Sequence, residues 1–219
     1  TDNPMSTSGR ALSIAAWIYP VISAPDQAES TILMKGQYGY GFALTKDGPN
    51  NCSVNNAPNL VYWDQGDCYQ AINSDITYEF NQWQHVAVTV EDIGSELEIY
   101  FYVNGVQDGP FFSPEPSIHN GSWNWNPQSL RIGDQGGQGS NPFSGNISSL
   151  SIWDYAQSET RIAEMAGQYG QTELHQLNNP VLHWDFSDGS GSVITDQSVN
   201  GNDGNISGAL WTENIPTIQ

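Results

Sequence analysis

The sequence predicts an all-β protein, an antiparallel β-sandwich of the jelly-roll type with one short helix. Short segments in which apolar and polar residues alternate recur along the chain, and clusters of Gly, Asn, Asp and Pro separate them. Only one segment has apolar residues at helical spacing. The length of 219 residues suits one domain.

The first half of the chain supplies the clearest strands. ALSIAAWIY (11–19) alternates, so that Leu12, Ile14, Ala16 and Ile18 share one face. Four further strand segments follow, separated by turn residues: TILMKG (31–36), YGFALTKDG (40–48), NLVYWD (59–64) and AINSDI (71–76). This order of short strands is typical of a sandwich.

WQHVAVTVE (83–91) and LEIYFYVNGV (97–106) predict a long hairpin. In the second segment Leu97, Ile99, Phe101 and Val103 share a face. Asn104-Gly105 is a strong signal for a tight turn. Two more segments continue the strand pattern: SLRIGD (129–134) and ISSLSIWDYA (147–156).

SETRIAEMAGQYG (158–170) predicts a short amphipathic helix lying on the sandwich. Its apolar residues recur at helical spacing. Ser158 is a suitable N-cap and Gly170 a suitable stop. Strands are expected to resume in VLHWDF (181–186) and SVITDQS (192–198).

The charge restricts the partners. Five basic residues face 24 acidic ones, for a net charge of −19. This balance excludes nucleic acid, which needs clustered Lys and Arg, and disfavours anionic membranes. No apolar run of about twenty residues is present, so we expect no membrane insertion. Abundant Asn, Ser and Gly with little Lys are typical of an extracellular or cell-surface β protein.

Two cysteines, Cys52 and Cys68, flank one turn-rich segment. A disulfide between them would contribute roughly 3 kcal/mol in the chain-entropy model and would indicate an oxidising compartment. The alternative is two free, buried thiols. Two cysteines without a CxxC motif do not predict a zinc site.

The order of these motifs resembles the laminin G-like jelly rolls of the concanavalin A-like superfamily, a broad group that includes the pentraxins. The most specific part is SGNISSLSIWDYAQSETRIAEM (144–165), where a strand and a tryptophan precede a short helix. The resemblance covers nearly the whole chain, including the strand and loop element 181–211. It implies a single domain over residues 1–219.

The resemblance also implies a concave sheet face, frequent calcium binding, and glycans or protein surfaces as ligands. Pentraxins place paired calcium ions in the stretch that matches IGDQGGQGSNPFSGN (132–146). Asp134 and Gln135 match part of that acidic cluster, but glycines replace the further acids. We therefore expect at most one calcium here, with Asp134 and Asn141 as ligands and Gln135 near the glycan.

A second oxygen-rich run, WDFSDGSGSVITDQSVNGNDGNISGALW (184–211), has two explanations. Asp-Gly and Asn-Gly pairs form tight turns. Carboxylates, amides and turned carbonyls also suit Ca²⁺, which takes six to eight oxygens, although no EF-hand pattern is present. The calcium explanation predicts five ligands: Asp188, Asp196, Asn200, Asn202 and Asp203.

Sugar binding needs an exposed aromatic plane beside hydrogen-bonding groups. Two stretches supply this combination, HNGSWNWNPQ (119–128) and VYWDQGD (61–67). They predict six contact residues: Trp63, Asp64, Asp67, Trp123, Asn124 and Trp125. The tryptophans inside strand patterns are expected to be structural: Trp17, Trp83, Trp153 and Trp184.

Catalysis is not expected. Retaining glycosidases need two carboxylates about 5–5.5 Å apart, and no E-x-D-x-E triplet supplies them on a strand. The histidines form no spaced cluster. The sequence thus predicts a calcium-dependent, lectin-like module, monomeric within a larger secreted or surface chain such as a bacterial adhesin. The alternatives are a protein-binding adhesion domain that holds a cell-surface protein, a structural spacer and, least favoured, a polysaccharide lyase or glycoside hydrolase.

Overall fold

The computed structural model describes residues 11–21, 29–36, 40–45, 58–63, 71–94, 96–113, 129–134, 141–169 and 179–216. The strands, in chain order, are β1 (Ala11–Pro20), β2 (Glu29–Lys35), β3 (Gly41–Thr45), β4 (Asn59–Trp63), β5 (Ala71–Thr77), β6 (Gln84–Asp92), β7 (Leu97–Val103), β8 (Val106–Ser113), β9 (Leu130–Ile132), β10 (Gly145–Trp153), β11 (Leu182–Trp184), β12 (Val193–Ile194) and β13 (Gly204–Asn205). The helix α1 spans Glu159–Ala166.

Two antiparallel sheets form the sandwich, as predicted. The larger has the strand order β11-β10-β1-β6-β7-β8 and the smaller has the order β5-β4-β3-β2-β9. β12 and β13 form a separate two-stranded ribbon. Chain neighbours β6 and β7 pair from Val86–Val103 to Asp92–Leu97, which confirms the predicted hairpin.

The core lies between the sheets and contains the alternating residues of each strand. Leu12, Ile14, Ala16 and Ile18 of β1 are each 0% exposed, which confirms their predicted shared face. Phe42 of the smaller sheet belongs to the same cluster. Burying one such side chain stabilises the fold by about 1.5–3 kcal/mol.

Asp108 joins the outer strands of the two sheets. It lies on β8, the last strand of the larger sheet, and its Oδ2 atom accepts the backbone N–H groups of Asp75 (2.7 Å) and Ile76 (2.8 Å) on β5. These two groups sit at the edge of the smaller sheet, where an unpaired N–H invites pairing with another chain. The carboxylate therefore caps one edge and ties it to the other sheet.

Helix α1 covers the outer face of the larger sheet. Its Ile162 and Met165 pack against a second buried cluster that contains Ala15, Ala87, Tyr102 and Trp153. The side chain of Ser158 caps the helix by accepting the N–H of Arg161. The helix is shorter than the predicted segment: Gly167 is its C-cap, and the N–H of Gly167 donates to carbonyls of the last turn. Gly170, the predicted stop, lies outside the described residues.

The turn between β7 and β8 explains the need for one glycine. Gly105 has φ +80°, and a Cβ added there would lie 2.9 Å from the Cα of Ala163 on α1. Glycine permits both the left-handed turn and the close approach of the helix.

The last strands are shorter than predicted. β11 ends at Trp184, and Phe186 has φ +59°, outside the extended region. β12 has two residues, because the segment after Ile194 bonds to side-chain carboxylates instead of to a strand. In the described part of the chain, no helix has the length and apolarity to span a membrane.

Candidate functional site

Asp196 is the centre of the oxygen-rich C-terminal run. Its Oδ1 atom accepts the N–H groups of His183 and Ser198, both at 2.9 Å. Its Oδ2 atom accepts the Ser198 hydroxyl at 2.6 Å and the Asn202 N–H at 2.7 Å. A carboxylate offers about four acceptor sites, so these four donors fill them. The residue is 7% exposed.

These donors shift the pKa of Asp196. Burial raises the pKa, but the hydrogen bonds from His183, Ser198 and Asn202 outweigh it and leave the pKa below its ordinary value. The pKa of the exposed Asp188 carboxyl is also lowered, because the backbone N–H and hydroxyl of Thr195 bond to it at 3.0 and 2.7 Å. Both carboxylates are therefore stable as anions within the loop.

The other predicted ligands of this run bond to nearby backbone. Asp203 Oδ1 accepts the Asp196 N–H at 2.9 Å. The side-chain amide of Asn200 donates to the Pro180 and Val181 carbonyls, both at 3.1 Å, and that of Asn202 donates to Val181 at 2.8 Å. The run thus covers the chain that enters β11, the outermost strand of the larger sheet.

This arrangement supports the turn explanation for the run. The four donors on Asp196 occupy the places that a cation bound there would need. Among the described residues, no three His, Cys, Asp or Glu side chains converge on one point. Hydrogen bonds that fold the loop account for the Asp and Asn residues here, and calcium binding by the residues around Asp196 stays a prediction.

Three aromatic residues anchor the same element to the sandwich. The indole N–H of Trp184 donates to the Asn202 carbonyl at 3.1 Å. A Cβ at Gly204 would lie 2.5 Å from the Trp184 ring, so the ring rests directly on the backbone of β13. Phe186 packs edge-to-face against Trp184 and Trp211, with ring centroids 6.4 and 6.5 Å apart.

The second predicted calcium region lies at the end of β9. Asp134 Oδ2 is 3.5 Å from the Arg131 guanidinium, while Asp134 Oδ1 is buried and has no hydrogen-bond partner among the described residues. Asn141 uses its backbone carbonyl to accept the Thr31 N–H at 3.0 Å. An unpartnered carboxylate oxygen fits a cation ligand better than a turn former. Gln135 lies outside the described residues.

The predicted sugar contacts fall largely outside the described residues. This holds for Asp64, Asp67, Trp123, Asn124 and Trp125, and also for the disulfide candidates Cys52 and Cys68. Trp63 ends β4, and its backbone pairs with Gly41 on one side and Ala71 on the other. The small cluster Met34, Ala43 and Val61 in the same sheet is buried.

The tryptophans predicted to be structural divide into two groups. Trp17, Trp153 and Trp184 are at most 8% exposed, which confirms their structural role. Trp83 differs: it is half-buried and precedes β6 instead of lying inside it. Its ring lies edge-to-face against Tyr19 at 5.7 Å, and its indole N–H donates to Asn214 at 3.2 Å. The strand pattern in the sequence starts at Trp83, one residue before β6 begins, so it could not predict the partial exposure of Trp83.

Comparisons with known proteins agree with this fold. The model of the concanavalin A-like lectin/glucanases superfamily matches residues 1–163. A rat protein, sushi, von Willebrand factor type A, EGF and pentraxin domain-containing protein 1, is 32% identical over 124 residues. That match covers 53% of this chain and 3% of the rat protein, so this chain spans only a small part of its relative.

Two solved structures are similar. A proposed carbohydrate-binding protein from Bacteroides ovatus has a TM-score of 0.68 at 17% identity, over 100% of this chain and 58% of that chain. A heptameric pentraxin from Limulus polyphemus has a TM-score of 0.49 at 18% identity, over 76% of this chain and 78% of that chain.

Proposed function

The chain belongs to the concanavalin A-like lectin/glucanases superfamily, and on that premise we propose that it is a carbohydrate-binding module. The observation that carries the proposal is the fold shared over the whole chain with the proposed carbohydrate-binding protein of Bacteroides ovatus. We place the module in a secreted or cell-surface multidomain protein, such as a bacterial adhesin. We propose that residues 1–219 form one domain, and the pairing of β11 in the C-terminal element with β10 of the larger sheet supports this.

The sugar contacts proposed from the sequence are the aromatic and polar side chains of 61–67 and 119–128, with Gln135. An indole plane stacks on the apolar C–H face of a sugar, and Asp, Asn and Gln bond its hydroxyls. We propose binding without catalysis.

Calcium dependence is a separate part of the proposal, centred on Asp134. Its unpartnered, buried Oδ1 atom supports a cation at the end of β9, where Asn141 is the second expected ligand. Carboxylate and amide oxygens are the ligands that Ca²⁺ prefers. The matched control is Asp188, an exposed carboxylate whose two hydrogen bonds come from Thr195.

A glycan array with and without chelator tests both parts. The proposal expects binding to a defined set of glycans, and weaker binding in chelator and in Asp134→Asn but not in Asp188→Asn. Binding that chelator leaves unchanged contradicts the calcium part alone. Binding to a cell-surface protein, with no glycan bound, would instead support the protein-binding adhesion domain. No binding to either glycans or cell-surface proteins would support the structural spacer.

A further inference from the structure

Tyr19 and Trp83 form a half-exposed aromatic pair at one end of the larger sheet. Tyr19 is the second-last residue of β1, and Trp83 directly precedes β6. The preceding pair in the register, Trp17 and His85, is buried at 7% and 0% exposure. Tyr19 and Trp83 extend the same face beyond that buried pair.

In the part of the chain that the structure describes, the cover over this face ends before the pair. Helix α1 packs on Ala15 and Ala87, the pair that precedes Trp17 and His85 on the same face of β1 and β6. Tyr169 then lies edge-to-face on Trp17, with ring centroids 5.5 Å apart. Among the described residues, the ring contact at Trp83 is with Tyr19.

The backbone holds the pair in place. The Asn81 N–H donates to the Pro20 carbonyl at 2.8 Å, and the Val21 N–H donates to the Ser144 carbonyl at 2.9 Å. These bonds fix the end of β1 to the turn before β6 and to the chain before β10. A rigid aromatic surface costs less entropy to bind on than a mobile one.

Uncharged amides surround the pair. Asn146 is the cross-strand partner of Tyr19 and is half-buried. Asn214 accepts the indole N–H of Trp83, and Gln82 is exposed beside it. Amides both donate and accept, which matches a ring of hydroxyl groups. The exposed Glu213 and the net charge of −19 disfavour an anionic ligand.

We infer that Tyr19 and Trp83 form a second saccharide-binding platform, specific for neutral sugars, on the larger sheet. The inference rests on the proposed function and adds a site that is separate from residues 61–67 and 119–128. The sugar ring stacks on the indole of Trp83 or the phenol of Tyr19, and Asn146, Asn214 and Gln82 bond its hydroxyls.

The test titrates oligosaccharides of glucose, mannose, galactose and xylose into protein whose tryptophan indoles are labelled with ¹⁵N. Oligomers of galacturonic acid are the anionic counterpart. The Trp83 indole resonance should shift and saturate with a neutral oligosaccharide, and the anionic oligomer should leave it in place. Trp83→Ala should weaken that binding about tenfold, the scale of a single aromatic contact.

Two controls separate binding from packing. Asn214→Ala removes the bond to the indole and one proposed hydroxyl contact but keeps the ring, so it should weaken binding less than Trp83→Ala does. Trp211→Ala removes a half-buried indole of the other aromatic group and should leave binding unchanged. A neutral oligosaccharide that binds without moving the Trp83 resonance overturns this platform while the proposed function stands. Failure of every glycan to bind overturns both.

Discussion

Asp196 organises a whole loop through one side chain. Its carboxylate bonds to residues on three segments, represented by His183 in β11, Ser198 in the following turn and Asn202 before β13. Hydrogen bonds to a charged acceptor are stronger than neutral ones. The residue that the sequence analysis proposed as a metal ligand therefore has a sufficient structural reason to be an aspartate.

Asp196→Asn should destabilise the protein by about 1–3 kcal/mol, because the amide must turn one N–H group toward donors that need an acceptor. Urea unfolding measures the change. Asp188→Asn in the same element should cost less, since Asp188 is exposed and its bonds to Thr195 lie at the surface. An equal loss in both variants would show that Asp196 is not the organising residue.

His85 is a buried histidine that must stay neutral. It is 0% exposed, and burial lowers its pKa to about 3. In the described ranges of the chain, neither ring nitrogen has a hydrogen-bond partner. The unfolded chain takes up the proton near pH 6.5, whereas the folded chain does not until the pH is much lower. Acid therefore favours unfolding.

Below pH 6.5, His85 should lower the free energy of unfolding by about 1.4 kcal/mol for each pH unit. Burial also lowers the pKa of His183, which acts in the same direction. Asp188 and Asp196 have lowered pKa values. Their contribution to stability is lost only as the pH falls below the pKa of an ordinary carboxyl. In His85→Gln, the urea midpoint of unfolding should depend less steeply on pH between pH 6.5 and about 4.5. An unchanged slope would contradict the role of His85.

At the scale of elements, the strands of the sandwich could be predicted because one face of each is buried. The alternation in β1 and β7 gave the right faces, and the Ser158 cap gave the right helix start. The short length of the C-terminal strands could not be predicted, because the Asp196 hydrogen bonds that replace strand pairing join residues up to 13 positions apart. The same limit applies to Asp108, whose hydrogen bonds to β5 join residues 32 and 33 positions apart in the sequence.

The C-terminal element depends on the contact between Trp184 and Gly204. Gly204→Ala would place a Cβ 2.5 Å from the indole, so the ring or β13 must move. We expect a loss of about 1–3 kcal/mol, typical of overpacking. Faster proteolysis within 193–216 should accompany it. Ser207→Ala, at an exposed position of the same element, is the control and should behave like the parent protein.

At the scale of the whole molecule, like charges repel one another. Five basic residues are too few to pair with 24 acidic ones, and among the described residues the ion pairs are Arg131–Asp134 and Arg161–Glu164. Repulsion destabilises a compact state. Salt screens it, with a Debye length of about 30 Å at 0.01 M and about 3 Å at 1 M.

The melting temperature should therefore rise with sodium chloride and rise equally with potassium chloride. Chelator present throughout removes any contribution from calcium. A melting temperature that does not change with salt would show that the acidic surface is spaced widely enough to avoid repulsion.

The family and the shared fold make glycan recognition the central claim, and a direct binding isotherm tests it most directly. Calorimetry of the intact chain in calcium, with the oligosaccharide that gives the strongest array signal, should show saturable heat that disappears with heat-denatured protein. No saturable heat for any neutral or anionic oligosaccharide, from a chain that unfolds cooperatively and is therefore native, would contradict the account.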